Sequence, residues 1–447
     1  MSLLKNYRSH VRPNFLLAYP VMLSMLGQVM TGVADSVMIG WTGATPLAAS
    51  SFANIFFSIP LFFGIGVSYA ITPLVALAEG AGDKNKIIDT LKNGGLINLV
   101  TGFVLVALIF LAEPFMGFLG QPEEVVTLGI PYLSIIAISI IPTMIFQTYR
   151  QFAEGLQRTR AAMIIVVASN LLNIFLNYIL IFGKYGFPAM GLNGAGWATL
   201  IARVVMAISM MLYVYHGRKF QSYKAGFSVG NYSRALISKM LHIGLPAGSQ
   251  FIFEAGAFGF SAIMMGWLGT TALAAHQIAI NLATISYMTT SGLAAAATIR
   301  VGNFWGQRDK QNLRASAYTM IGMAGCLMTA WALLFIFGRY LLPSLYIEDQ
   351  AVIELTASLL IIAAFFQLSD GIQVVAAGAL RGLQDVKIPS ALIFVSYWVI
   401  ALPLGYWLAF PLEMGAIGIW IGLCLGLTLT ATAMVVRFNR LSKKKVY

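Results

Sequence analysis

Of the 447 residues, 59% are hydrophobic and 10% charged, with a mean hydropathy of +0.80; a soluble domain is about a quarter charged. Runs of about 20 apolar residues, each enough to cross ~30 Å of hydrocarbon as a helix, recur along the whole chain, so a soluble protein is excluded. The net charge of +12 points to nucleic acid only where basic residues form a patch, and their positions decide that.

In chain order the predicted spans are 14–38, 47–77, 93–112, 125–148, 161–182, 194–215, 241–266, 272–299, 315–338, 352–378, 388–409 and 415–436. The runs are continuous and far longer than the alternating segments of a membrane barrel, so they are helices. Twelve spans leave both termini on one side. The first run follows Lys5, Arg8 and Arg12 and is too long for the core of a cleavable signal, so it reads as a retained helix.

Of the 28 Lys and Arg, 25 fall in one set of connections: before the first span and around 84–92, 150–160, 218–239, 300–314, 381–387 and 437–445. The opposite connections hold Lys184 and Arg339, and Arg203 lies within a span. The positive-inside rule then puts both termini in the cytoplasm. The +12 is topology. The expected partner surface is the lipid bilayer, with no nucleic acid. Cys326 and Cys424 fall inside spans, form no metal-spacing motif and are not expected to pair.

The chain repeats itself. An offset of 226 aligns residues 20–84 with 246–310 without a gap. Pro20 meets Pro246, Gly40-Trp41 meets Gly266-Trp267, and Asp83-Lys84 meets Asp309-Lys310. At an offset of 227, Gly155-Leu156-Gln157 meets Gly382-Leu383-Gln384. The fold class expected is therefore all-α and integral to the membrane, with twelve helices as two parallel six-helix repeats around a central cavity. The domains expected are an N-terminal lobe over 1–215, a cytoplasmic linker over 216–240 and a C-terminal lobe over 241–447. Pro20 and Pro246 weaken the first helix of each half and are candidate bending points.

Four charges lie well inside the spans, away from their ends. Glu254 is the only charged residue from Ile243 to Ile299, Asp35 the only one between Arg12 and Glu79, and Asp370 the only one between Glu354 and Arg381. Arg203 is the fourth. A charge at mid-bilayer costs roughly 2.5–3.5 kcal/mol on insertion scales, so such groups face protein or water. By helical rise Glu254 and Asp370 share a level, and Asp35 lies toward the outer side. Neither helix offers a nearby Lys or Arg to neutralise the pair. Under the internal alignment Glu254 meets Gln28, Asp370 meets Thr143 and Asp35 meets Ser261, so the halves share a scaffold and not their acids.

A carboxylate in a low-dielectric site holds a proton or a cation. Either is exchangeable for a positively charged organic substrate, and three acids against one Arg make the cavity suit cations. Glu254, Asp370 and Asp35 are the candidate coupling-ion residues, with Glu254 and Asp370 as the candidate Na⁺ ligands. Asn173, Asn177, Gln250 and Phe366 are the candidates for lining the cavity or contacting substrate. The stripe Asn170, Asn173 and Asn177 fits helix–helix hydrogen bonding equally well. His276 reads as a packed polar residue. No catalytic cluster and no cofactor motif stands out, and the chain reads as a monomer and not an enzyme.

Twelve helices in two parallel repeats, with QFIFEAGAFGFSAIMMGWLGTTALAAHQ in the seventh helix and its loop, resemble the multidrug and toxic compound extrusion (MATE) family. The stretches ADSVMIGWTGATPLAA and ALRGLQD fit it too, and the resemblance covers nearly the whole chain. The acid in the seventh helix together with Asp370 in the tenth is similar to the NorM-type branch. The resemblance implies efflux of cationic and amphipathic drugs across a bacterial cytoplasmic (inner) membrane, coupled to Na⁺ or H⁺. It carries the family's acids in helices 7, 10 and 1 over to Glu254, Asp370 and Asp35. Two departures stand out. The DinF-type branch has an acid one turn after its helix-5 Asn, where Asn177 stands here. A tyrosine expected one turn before Asp370 is replaced by Phe366 and Gln367. A lipid-linked precursor flippase of related architecture is the rival, and an intramembrane enzyme a more distant one.

Overall fold

The computed structural model describes residues 2–228 and 230–444, with side chains from Tyr7 onward. Lys445, in the C-terminal basic run, lies outside the described residues. The membrane helices are α1 (Ser2–Gly40), α2 (Ala44–Gly80), α3 (Lys84–Phe118), α4 (Glu123–Gly155), α5 (Arg160–Phe182), α6 (Gly191–His216), α7 (Arg234–Leu268), α8 (Thr270–Gly306), α9 (Lys310–Phe337), α10 (Gln350–Gly382), α11 (Lys387–Ala409) and α12 (Gly415–Lys444). No strand occurs among the described residues. Each expected span falls in one of them, save that 315–338 overruns α9 by its last residue, and most helices run past the apolar stretch at one end or both.

Eleven of these helices, among the described residues, are long and apolar enough to cross a membrane. The exception is α8. At 37 residues it is long enough, but Ser, Thr, Asn, Gln and His dilute its apolar stretch. That polarity is turned into protein: Ser286, Thr290 and Thr298 are buried. Thr298 donates to the Gly378 carbonyl of α10 at 2.8 Å, and Ser286 donates to Gln367 of α10 at 2.8 Å.

The repeat is visible in the backbone. Gly43 before α2 and Gly269 before α8 have φ of 133° and 117°, values open to glycine and strained for other residues. Asp83 caps α3 by accepting from the Lys86 amide at 3.1 Å, and Asp309 caps α9 by accepting from the Asn312 amide at 3.0 Å. The Lys86 side chain and amide together hold the exposed Asp83 carboxyl below the usual carboxylate range. Gln157 after α4 and Gln384 after α10 share a left-handed φ of 61° and 55°.

Two compact units result, a C-terminal unit of Met1–Met22 with Ser249–Tyr447 and an N-terminal unit of Leu23–Gly248. The divisions fall inside α1 and α7, two residues after Pro20 and Pro246, rather than at 216–240. Within the N-terminal unit the start of α7 packs on α2 and α3. A Cβ on Gly66 would sit 2.5 Å from the Gly248 Cα, and the Ser233 amide donates to Asn93 Oδ1 at 3.0 Å. Within the C-terminal unit the start of α1 packs on α8 and α9 in the same way. A Cβ on Gly292 would sit 2.4 Å from Met22 Cγ, and Thr319 donates to the Tyr7 carbonyl at 3.3 Å. Tyr7 and Ser233, Asn93 and Thr319, and Gly66 and Gly292 are all 226 apart.

Arg150 departs from the expectation that it lies in a basic cytoplasmic connection. Helix α4 continues to Gly155, so Arg150 is 1% exposed and paired with Glu154 one turn on, at 2.7 Å. Burial of the guanidinium is tolerable because a hydrogen-bonded carboxylate accompanies it.

Candidate functional site

In the C-terminal unit the two acids come together. Glu254 on α7 is half-buried and Asp370 on α10 is buried, and Glu254 is Asp370's charged neighbour. Gln373, three residues after Asp370 and so on nearly the same face of α10, donates to Glu254 Oε1 at 3.0 Å. Its own carbonyl oxygen accepts from the Tyr397 hydroxyl at 3.4 Å. Tyr397 lies in a π-helical segment of α11, Val395–Ala401, a widened turn of the kind often found at functional sites. The next residue, Trp398, donates to the Phe253 carbonyl of α7 at 3.0 Å, so the wide turn grips α7 directly beside Glu254.

The lack of a neutralising base is corrected here. Arg381, in the last turn of α10, is the charged neighbour of Glu254. Helix α10 continues three turns past Asp370, which brings a residue assigned to a connection within electrostatic range.

Gln250, one turn before Glu254, is buried. Phe366 is buried too, its ring 6.1 Å from Phe258 and 5.8 Å from Trp420 between centroids. Trp420 donates to His276 Nδ1 at 3.2 Å, so the histidine is a packed, hydrogen-bonded core residue. Gln367 accepts from Ser286 and is fully buried, with its Nε2 lacking a partner among the described residues.

In the N-terminal unit the acid ends a ladder of amides. Asn177 on α5 donates to Asp35 of α1 at 2.5 Å and faces Asn173 Oδ1 at 3.3 Å. Asn173 donates to Thr199 of α6 at 3.3 Å. The stripe Asn173, Asn177 therefore joins three helices, while Asn170 keeps a buried Nδ2 without a partner among the described residues. Arg203, one turn beyond Thr199, donates to Ser139 Oγ at 2.8 Å and covers the Phe57 ring at 4.9 Å. Its polar neighbours include Asp35 and the buried Tyr132.

Gln373, Tyr397 and Tyr132 carry no charge, and nothing in the hydropathy profile singles them out. The signal available was spacing, an amide three residues from a lone intramembrane acid. Among the described residues no group of three or more His, Cys, Asp or Glu is placed to hold a metal.

A family model described as MatE matches residues 20–179 and, a second time, 246–407, once in each repeat. The multidrug resistance protein NorM of Photobacterium profundum is 34% identical over 444 residues, covering 97% of this chain and 96% of its own. A probable multidrug resistance protein NorM of Agrobacterium fabrum is 33% identical over 443 residues, covering 98% and 95%. Among solved structures, a MATE in the bent conformation superposes with a TM-score of 0.90 over the whole of both chains at 19% identity, which speaks to the fold alone. With both repeats matched by one family model and nearly the full length shared with NorM relatives, the chain belongs to the MatE family of multi-pass membrane transporters and lies in its NorM-type branch.

Proposed function

We propose that this transporter is a cation-coupled multidrug antiporter that exports organic cations and amphipathic drugs by alternating access. Glu254 and Asp370 form the site at which the coupling ion, Na⁺ or H⁺, competes with drug. Asp35 contributes to cation capture or gating. The reading is supported above all by one observation: two acids on α7 and α10 are charged neighbours in a largely apolar unit. Two ionised carboxylates in such surroundings repel, and a bound Na⁺ or a proton on one of them relieves the repulsion. Loss of that ion restores negative charge that holds a cationic drug. Linkage makes the exchange reciprocal, so drug weakens ion binding by the factor by which the ion weakens drug binding. The names of the NorM relatives, multidrug resistance proteins, support the multidrug part of the reading.

The two gradients separate the coupling ions. Everted vesicles are given a cationic dye in the medium and a Na⁺ gradient or a pH gradient alone; one of them drives dye into the lumen, and transport by neither would overturn the antiport reading. A lipid-linked pyrophosphate would require several basic groups in the spans, and Arg203 alone lies mid-span. Orientation is a part of the proposal, with both termini in the cytoplasm. Single cysteines at positions 84 and 310 should escape a membrane-impermeant label added to cells, and one at position 123 should react; the reverse pattern would refute the topology.

A further inference from the structure

The C-terminal unit holds the start of α1 with a polar network that the other repeat lacks. His10 of α1 is buried. Arg300 Nη2, near the end of α8, lies 2.9 Å from His10 Nδ1, and His10 Nε2 lies 3.1 Å from Asn312 Oδ1 in the first turn of α9. A guanidinium only donates, so Nδ1 accepts, and the ring carries its proton on Nε2 and donates it to Asn312. Asn312 in turn donates Nδ2 to Asp309 Oδ2 at 2.6 Å. Arg300 also faces Ser316 Oγ through its Nε at 3.5 Å, and Ser316 and Asn14 exchange hydrogen bonds of 3.1 Å each. Phe304 lies under the guanidinium at 4.7 Å and meets the imidazole edge-on, 5.8 Å between centroids.

At the offset of 226, His10 meets Leu236, Asn14 meets Met240, Arg300 meets Leu74 and Phe304 meets Ala78. Leu74 and Met240 are buried, so the start of α7 is held by apolar packing where the start of α1 is held by a titratable ring. The α1 network closes only around a neutral ring. A proton on Nδ1 would set a donor against a donor 2.9 Å away and bring two positive charges together. Among the described residues the charged groups facing His10 are Arg300 from α8 and Asp309 from the head of α9. Asp309 already accepts from the amide and side chain of Asn312, and Arg8 and Arg12 on α1 itself are exposed. We propose that His10 is a pH-dependent positioning residue: neutral, it fastens the start of α1 to α8 and α9, and protonated, it lets go. The clamp is complete above the ordinary imidazole value of about 6.5 and is lost as pH falls below it. The fastened segment carries Pro20 and belongs to this unit as far as Met22, so acid frees the part of α1 that leads into its candidate bend. None of this depends on which ion or drug is moved.

Hydrogen–deuterium exchange of the purified full-length protein reads the clamp without transport. Rates for α1 peptides covering residues 8–19 are compared between wild type and variants at the same pH, which cancels the chemistry of exchange. In His10→Gln the side-chain oxygen accepts from Arg300 and the amide donates to Asn312, with nothing to titrate. In Arg300→Gln the amide turns either way and holds both forms of the ring. The wild-type rate should equal that of each variant at about pH 8 and exceed it several-fold at about pH 5.5, on either side of the imidazole value. Equal rates at both pH values would overturn the proposal. So would an Arg300→Gln protein that opens in acid as the wild type does, because opposition of charges would then not be the trigger. Fast exchange of His10→Gln already at about pH 8 would mean that the shape of the ring, and not its protonation, holds the helix. Peptides covering residues 234–245 of α7 should show equal rates throughout, and acid acceleration there as well would mean general loosening and refute a clamp specific to α1. If His10→Gln does not fold, the comparison with Arg300→Gln decides alone.

Discussion

In the N-terminal unit one acid terminates a ladder of amides and has a guanidinium for a neighbour; in the C-terminal unit two acids are neighbours and one amide ties Glu254 to a tyrosine. The surrounding backbone is nearly the same in both. Gly66 and Gly292 make the equivalent close approach, Asp83 and Asp309 the equivalent cap, and Gln157 and Gln384 the equivalent left-handed turn. Helix packing constrains those positions in each repeat alike. The acids obey no such constraint, and Gln28, Thr143 and Ser261 stand where the other half has Glu254, Asp370 and Asp35. Scaffold and chemistry are thus separable in this chain, and substitutions should sort accordingly.

The largest loss is expected at the paired acids. Glu254→Gln preserves shape and removes charge, so the protein should insert and fold yet lose ion-driven transport. Coupling free energies between sites are typically 1–3 kcal/mol, or about 5–150-fold, and the loss of drug–ion competition should fall in that range. Asp370→Asn should match it, and the double variant should be little worse, since residues acting as a unit are not additive. Transport by Glu254→Gln at the parent rate under the same gradient would sink the C-terminal site. Asp35→Asn is expected to impair efflux less, because its polar site holds one acid rather than a pair.

A smaller effect should strike both units equally. Alanine at Gly292 would place its Cβ 2.4 Å from Met22 Cγ and 2.7 Å from the Met22 amide nitrogen, and at Gly66 it would lie 2.5 Å from the Gly248 Cα. Backbone cannot swing aside as a flexible side chain does, and overpacking typically costs about 1–3 kcal/mol. Thermal unfolding in detergent should show comparable drops for Gly66→Ala and Gly292→Ala, and almost none for Gly259→Ala, whose Cβ would meet nothing within 4 Å. Unequal drops would mean that the repeats are not equivalent in packing. Pro246→Ala tests motion rather than packing: it should lower the transport rate more than drug affinity, and equal losses in both would count against a bending role.

The helices are legible in the sequence because long apolar runs admit no other structure in a bilayer, and even α8 was placed despite its buried polar face. What was not legible has identifiable causes. Arg150 marks the end of an apolar run, yet Glu154 four residues later lets the helix continue with the pair buried. Arg381 looked remote because the predicted span stops at 378, whereas α10 runs on to Gly382 and carries Arg381 in its last turn. Division of the units at Met22 and Gly248 leaves no compositional trace, since α1 and α7 are unbroken there; Pro20 and Pro246 are the one local sign. Gln373 and Tyr397 escaped because uncharged polar groups barely alter hydropathy, and the π-helical turn that aims Tyr397 depends on packing with α7 and α12.

The smallest effect separates a ligand from a support. Tyr397 reaches Gln373 Oε1 at 3.4 Å, long for a hydroxyl hydrogen bond, whose usual range is about 2.5–3.0 Å. Removing the hydroxyl by Tyr397→Phe keeps the ring in its place against Phe258, 6.0 Å away between centroids. The loss should be at the low end for a single hydrogen bond, about 0.5 kcal/mol or roughly 2-fold in ion affinity. Gln373→Leu is different, because it withdraws the donor from Glu254 Oε1 and leaves a half-buried charged group short of a partner, a loss of about 1–3 kcal/mol. Isothermal titration of the coupling ion into the purified variants should therefore rank Gln373→Leu well above Tyr397→Phe. A Tyr397→Phe loss as large as that of Glu254→Gln would make the hydroxyl itself a ligand of the ion, and Gln373 would no longer be the link between them.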